Sequence, residues 1–322
     1  MRRRRWVRGG RLTLLVGALM LMLTGCSSTS IERNLRFGWP TGITKQAEKM
    51  RVLWTWSSVA ALIVGVLVWG LIFVVCIRDR KKSDELPPQV KYNHVIEIAY
   101  TIVPFIIIAG LFYYTVVTEN YVDKLTKNPD VNVQVDAFKW NWQFEYTNYR
   151  GTAQDTKYTG TADPGMASTD YPGVAPALPL STVGSSNEIP VLVIPRGETI
   201  RFDEHSEDVI HSFWVPEFLF KRDVIPYGTS STSRDNQFEI TATTDGSYVG
   251  RCAELCGTYH SQMNFEVRVV EPQVFQKYLA ALAQVGPTDP ARQSKALTDA
   301  GMAPYATTTK PFNTDRNTRS AS

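Results

Sequence analysis

Apolar residues fall in three runs near the N-terminus, and beyond residue 130 they alternate with polar positions. The first run, residues 12–23, follows a basic start and precedes small residues, the outline of a secretory signal over residues 1–25. The second, residues 52–77, holds no charged residue and lies between Arg51 and Arg78. It exceeds the ~20 apolar residues a membrane-crossing helix needs. The third, residues 95–118, is similar but contains one charge, Glu97. Between the second and third lies the basic stretch Arg78-Asp79-Arg80-Lys81-Lys82, and short basic loops stay on the cytoplasmic side. The pattern therefore predicts a transmembrane helix hairpin over residues 52–118 in a multi-pass chain. An external segment, residues 26–51, precedes it, and everything after the hairpin lies on the outer face.

After residue 130 the period becomes two. Val131, Val133 and Val135 alternate with polar residues, then Trp140, Trp142, Phe144 and Tyr146 do so again. Further strand candidates are residues 189–194, 199–203, 237–242, 247–251 and 264–270. Short strands punctuated by Gly and Pro predict an all-β Greek-key sandwich or a barrel over residues 129–285. Residues 151–187, rich in Gly, Ser, Thr, Pro and Ala, read as a long inserted loop. Residues 272–285 carry Phe275, Tyr278, Leu279 and Leu282, the pattern of a terminal helix on the sandwich. Residues 286–322 are polar and predict a flexible tail.

Composition adds exclusions. A net charge of +3 over 322 residues is too small to argue for nucleic acid. The four cysteines, Cys26, Cys76, Cys252 and Cys256, occupy unlike contexts and do not form a disulfide framework. Leu23-Thr24-Gly25-Cys26 resembles a bacterial lipobox, which makes Cys26 a lipidation candidate; the alternative is an uncleaved anchor with an incidental cysteine. Cys76, within a span, reads as a packing thiol.

The densest chemistry is Cys252-x-x-x-Cys256-x-x-x-His260-x-x-Met263, with His211 upstream. Sulfur and imidazole ligands select copper, zinc or iron–sulfur. Zinc accepts two Cys and two His, but a thioether is a poor zinc ligand and a common weak axial ligand of electron-transfer copper. A one-copper blue site needs one cysteine. Two cysteines allow both thiolates to bridge two copper ions, each taking one histidine and one weak donor. Sharing an electron across both metals keeps reorganisation small, which suits a relay on a cupredoxin-like sandwich.

His211-Ser212-Phe213-Trp214-Val215-Pro216 and the stretch from Arg251 to Met263 resemble the dinuclear copper motifs of cytochrome c oxidase subunit II, in its bacterial lipoprotein form. The resemblance runs from about Phe37 through the terminal helix. It implies that His211, Cys252, Cys256, His260 and Met263 ligate copper by side chain and Glu254 by its backbone carbonyl. It also implies that the Glu254 carboxylate reaches a magnesium ion at the boundary with subunit I. Lys139-Trp140-Asn141-Trp142 resembles the family's aromatic segment, which makes Trp140 the residue receiving the donor haem's electron; Trp142, Phe144 and Tyr146 read as core. Asn141 departs from an aromatic common in the family. The stretch from His94 to Pro104 resembles the family's second helix, where Glu97 would lie at the mouth of a proton path; the alternative is a carboxylate near the headgroups. Glu204, Glu207 and Asp208 form an acidic run that would attract a basic cytochrome, and His205 reads as a surface residue.

The function implied is relay of electrons from a c-type cytochrome, one candidate being a donor tethered in a respiratory supercomplex, to haem in subunit I, where oxygen is reduced to water and protons are translocated. The competing reading is a membrane-tethered copper chaperone or thiol oxidoreductase, which would ordinarily bring an α/β pattern around its cysteines. Quinol-oxidase relatives lack the copper ligands, and a nitrous oxide reductase needs a tandem domain for which this chain has no room.

Overall fold

The computed structural model describes residue 36 and residues 38–81, 84–86, 89–149, 179–226 and 236–311. The signal segment, Cys26, most of the expected insertion and the last part of the expected tail lie outside the described residues.

Among the described residues two helices, α1 (Lys45–Arg78) and α2 (His94–Val122), are long and apolar enough to cross a membrane. Their apolar side chains are exposed on every side, among them Val66, Trp69, Phe73, Phe105 and Ile106, the pattern of a helix solvated by lipid. α1 starts earlier than the apolar run because Thr44 caps it: its Oγ1 accepts the Ala47 amide at 2.9 Å. α2 starts with a reciprocal cap. Asn93 Oδ1 accepts the Ile96 amide, and Glu97 Oε1 accepts the Asn93 amide at 3.0 Å.

The second compact unit holds residues 41–50 and the chain from residue 98 onward. Among the described residues, ten strands form two five-stranded sheets: β1 (Val131–Phe138), β2 (Asn141–Tyr149), β3 (Leu180–Val183), β4 (Val191–Pro195), β5 (Thr199–Ser206), β6 (His211–Val215), β7 (Phe220–Val224), β8 (Gln237–Thr241), β9 (Gly246–Cys252) and β10 (Asn264–Val270). One sheet runs β3-β2-β1-β5-β8, the other β4-β10-β9-β6-β7. From β3 onward the chain passes repeatedly between sheets, the Greek-key sandwich expected. The inner faces carry Trp142, Phe144, Tyr146, Phe202, Phe213, Phe238 and Phe265, all buried. Each such side chain contributes about 1.5–3 kcal/mol. Packing is tight enough that a Cβ at Gly250 would lie 2.0 Å from the Phe265 ring.

The pattern missed three parts of this unit. The four-residue β3 lies inside the expected insertion and pairs with β2 from Gln143↔Val183 to Tyr146↔Leu180. Residues 41–50 are not merely an external segment, since Ile43 and Ala47 are buried and the Thr243 amide donates to the Ile43 carbonyl at 2.7 Å. The start of the expected flexible tail is ordered as well. After the predicted terminal helix α3 (Pro272–Gln284) comes α4 (Arg292–Asp299).

α4 meets one edge strand of each sheet, β4 and β3. Gln293 Oε1 accepts the Val191 amide at 2.7 Å, its Nε2 donates to the Ile189 carbonyl, and Arg292 Nε donates to the Ser181 carbonyl. Unpaired edges invite foreign strands, and side-chain amides here occupy them. Ala296 and Leu297 also bury against the core, but two apolar positions in so polar a stretch do not stand out as a run.

Beyond α4 a strap crosses β10. Glu266, fully buried, accepts hydrogen bonds from the amides of Thr307 and Thr308 at 2.6 and 2.7 Å, and from Arg268. Arg268 also donates to the carbonyls of Ala303 and Tyr305. Burial alone raises the Glu266 carboxyl, but the hydrogen bonds from Thr308 and Arg268 outweigh it and hold the group below its ordinary value of 4.5. Its stabilisation is complete above the unfolded value and is lost as pH falls through the lower folded one. Limited proteolysis should therefore begin to cut residues 303–311 only as pH falls below about 4, and Glu266→Gln should make this strap labile at neutral pH. A strap equally resistant in both cases would refute the anchoring role.

Candidate metal centre

His211 is the first residue of β6 and Cys252 the last of β9. Cys256, His260 and Met263 follow on the loop to β10. The register Phe213↔Cys252, with the Ala253 amide donating to the Ser212 carbonyl at 3.1 Å, sets His211 beside the loop. The loop is closed at its base by the Cys252 amide on the Met263 carbonyl, 3.1 Å, and a 3-10 turn over His260–Gln262 presents His260. Trp142 Nε1 donates to that same Met263 carbonyl at 3.3 Å.

All expected ligands converge. Cys252 Sγ lies 3.8 Å from Cys256 Sγ, far beyond the ~2.05 Å of a disulfide. Cys252 Sγ is 3.8 Å from His211 Nδ1 and 3.3 Å from the Glu254 carbonyl oxygen. Cys256 Sγ is 3.5 Å from His260 Nδ1 and 3.8 Å from Met263 Sδ. Each thiol thus has its own imidazole nitrogen and its own weak donor. His211 and Met263 are fully buried and both cysteines nearly so. Burial, then the neighbouring Cys252, push the Cys256 thiol up to about 12. A bound cation reverses that balance by deprotonating a coordinating thiol, so this donor set fits a soft metal.

Asp208 is the functional residue that sequence reasoning misplaced. Its Oδ1 lies 2.8 Å from His211 Nε2, and its Oδ2 accepts the Lys139 amide at 2.9 Å. Burial raises the carboxyl, but the hydrogen bonds from His211, Lys139 and Val209 outweigh it and bring it below its usual range. A carboxylate behind a ligand histidine fixes tautomer and ring orientation, leaving Nδ1 toward the thiols. The signal was present in the three-residue spacing of Asp208 and His211.

The acidic run does not form a common surface. Glu204 is fully buried on the inner face of β5, and burial pushes its carboxyl well above the usual range. Asp208 turns toward His211 while remaining exposed, and Glu207 is exposed beside it. His205 belongs to the surface, 3.7 Å from Asp136 and 3.4 Å from Glu207. The Glu254 side chain is exposed beside the centre, and Trp140 is half-buried against the loop. Glu97 sits elsewhere, in the first turn of α2, where capping accounts for its position.

Residues 131–270 match the family described as cytochrome C oxidase subunit II, periplasmic domain. A probable cytochrome c oxidase subunit 2 of Nocardia farcinica is 46% identical, with 99% of this chain and 92% of the relative covered. The cytochrome c oxidase subunit 2 of Mycobacterium bovis is 42% identical, with 95% and 89% covered. Among solved structures, the periplasmic domain of cytochrome oxidase subunit II of Bradyrhizobium japonicum is 23% identical, covering 48% of this chain and 93% of its own. Its TM-score of 0.33 is too low to carry an argument.

If Asp208 orients His211, Asp208→Ala should weaken metal retention about 10- to 100-fold, read by competition with a chelator. Unchanged retention would remove the orienting role.

Proposed function

This chain belongs to the cytochrome c oxidase subunit II family, and from that membership we propose that it relays electrons from a c-type cytochrome to haem in subunit I of the oxidase. The observation that carries this reading is the paired donor set. Cys252 stands with His211 and the Glu254 carbonyl, Cys256 with His260 and Met263, and the thiols are 3.8 Å apart. Such a set would hold two copper ions between shared thiolates. Loaded, the pair supplies a one-electron couple with its charge spread over both metals.

The chain's own residues serve that couple by holding still. Asp208 fixes the His211 ring, Trp142 fixes the Met263 carbonyl, and the buried sulfurs exclude water. Rigid, dry ligands limit rearrangement when charge arrives. Trp140, half-buried against the loop, would receive the electron. Oxygen reduction and proton translocation would occur in subunit I. Both helices would span the membrane, and the basic stretch around Arg80 and Lys81 supports an outer-face location for the sandwich.

Copper added to the thiol-reduced full chain should bind at two ions per chain, with one unpaired electron delocalised over both in the mixed-valence state. Replacing Cys252 or Cys256 with serine should abolish the delocalised signal. One copper per chain, or a preference for zinc, would sink the reading.

The exposed Glu254 carboxylate would reach a magnesium ion at the subunit I boundary. In the assembled oxidase grown with manganese as a substitute, Glu254→Gln should lose the manganese resonance and keep its copper. A retained resonance would count against this role.

A further inference from the structure

Trp140 occupies the turn between β1 and β2, distant in sequence from every residue of the metal loop. Its indole nevertheless rests on that loop. The Tyr259 ring meets it edge to face, with centroids 4.8 Å apart and planes at 88°. Gly257, at φ +127°, passes so close that a Cβ there would lie 3.3 Å from Trp140 Nε1 and 3.4 Å from Cζ2. Both contacts come from the short stretch between Cys256 and His260. Tyr259 directly precedes His260 and accepts the Gln262 amide at 2.9 Å, so its backbone is part of the turn that presents the ligand.

We propose that Tyr259 is a positioning residue for electron transfer: its ring seats Trp140 on the metal loop, so that the indole and the Cys256–His260 stretch keep one fixed separation. This rests on the reading of Trp140 as the receiving residue. Edge-to-face contact is directional, since a ring's positive edge meets a negative face, and it therefore fixes tilt as well as distance. Gly257 supplies the clearance on which that seat depends. The peptide before Trp140 is restrained from another direction, because Asp208 takes the Lys139 amide while holding His211. Trp140 is thus registered to both ligand-bearing segments. In the step itself one electron would leave the donor's ferrous haem, making it ferric, and pass to the copper that His211, Cys252, Cys256, His260 and Met263 would hold. No bond forms or breaks at Trp140 or Tyr259, and no proton moves there. A fixed seat matters because tunnelling falls steeply with the gap between donor and acceptor.

The test uses the assembled oxidase with a reduced c-type cytochrome, comparing Trp140→Ala, Tyr259→Ala and Tyr259→Phe. Rapid mixing follows copper reduction, the visible and resonance spectra report copper integrity, and hydroxyl-radical labelling read by mass spectrometry reports exposure of Trp140. Tyr259→Ala should slow copper reduction by about tenfold, as a small misplacement of a reacting group does. It should also raise Trp140 labelling and leave the copper spectra unchanged, and Tyr259→Phe should restore both rate and labelling. If Trp140→Ala is slow while Tyr259→Ala matches the parent in rate and labelling, the positioning role is overturned and the receiving role of Trp140 stands. If Trp140→Ala is also as fast as the parent, the receiving role itself fails and the proposal with it. Should Tyr259→Ala lose copper, Tyr259→Leu keeps bulk without the aromatic edge; a parental rate and labelling in that variant would equally overturn the proposal.

Discussion

The short pairing of β6 with β9 is the constraint on which the rest of the site depends. Only Phe213↔Cys252 and Trp214↔Arg251 are in register, extended by the Ala253 amide on the Ser212 carbonyl. Yet this is what carries His211, from one hairpin, to the sulfur that ends another strand. A slip of one residue would turn every side chain of β6 to the opposite face and remove His211 from the thiols. The register is protected by what lies beneath it. Phe213 stacks on Phe265 at 4.7 Å between centroids, and Trp142 meets both edge-on. A slipped β6 would lose that aromatic packing together with the ligand.

The same residues therefore serve stability and chemistry. Trp142 is core by burial, but its indole N–H also holds the Met263 carbonyl, and its ring approaches His211 at 6.2 Å. Met263 closes the loop through its backbone while its sulfur faces Cys256. Ligands presented from strand ends and a hydrogen-bonded turn have less freedom than ligands on an open loop.

Much of this was legible in the sequence because it was written in periodicities and spacings. The apolar runs gave the helices, and the alternation from Val131 to Tyr146 gave β1 and β2. The cysteine, histidine and methionine spacing singled out the side chains that the fold brings together. What escaped was carried by partners remote in sequence. α4 depends on Gln293 and Arg292 reaching backbone of β4 and β3, and no local pattern reports such partners. Asp208 looked like one of three surface acids, yet strand phase sends Glu204 inward and the bend after β5 sends Asp208 to His211. A charge run is a statement about composition; which face each charge occupies is decided by tertiary structure.

Burial around the centre is graded, and the gradient bears on direction. His211 and Met263 are sealed, and both sulfurs are almost so. Toward solvent the site opens at two places. One is the half-buried pair Trp140 and Tyr259 beside His260; the other is Glu254 and Leu255 at the loop tip, where Leu255 is 79% exposed. A lone exposed leucine means little, but this one adjoins a residue whose carbonyl lies 3.3 Å from Cys252 Sγ. A catalyst of small-molecule chemistry would need a cavity reaching its metal. A relay needs the opposite: a closed metal compartment with separate contact points for a donor and an acceptor, each within a few side chains of the sulfurs. The loop from Cys252 to Met263 has that layout within twelve consecutive residues, because Cys252, Cys256 and Met263 are buried while Glu254, Leu255, Gly257 and Thr258 are exposed.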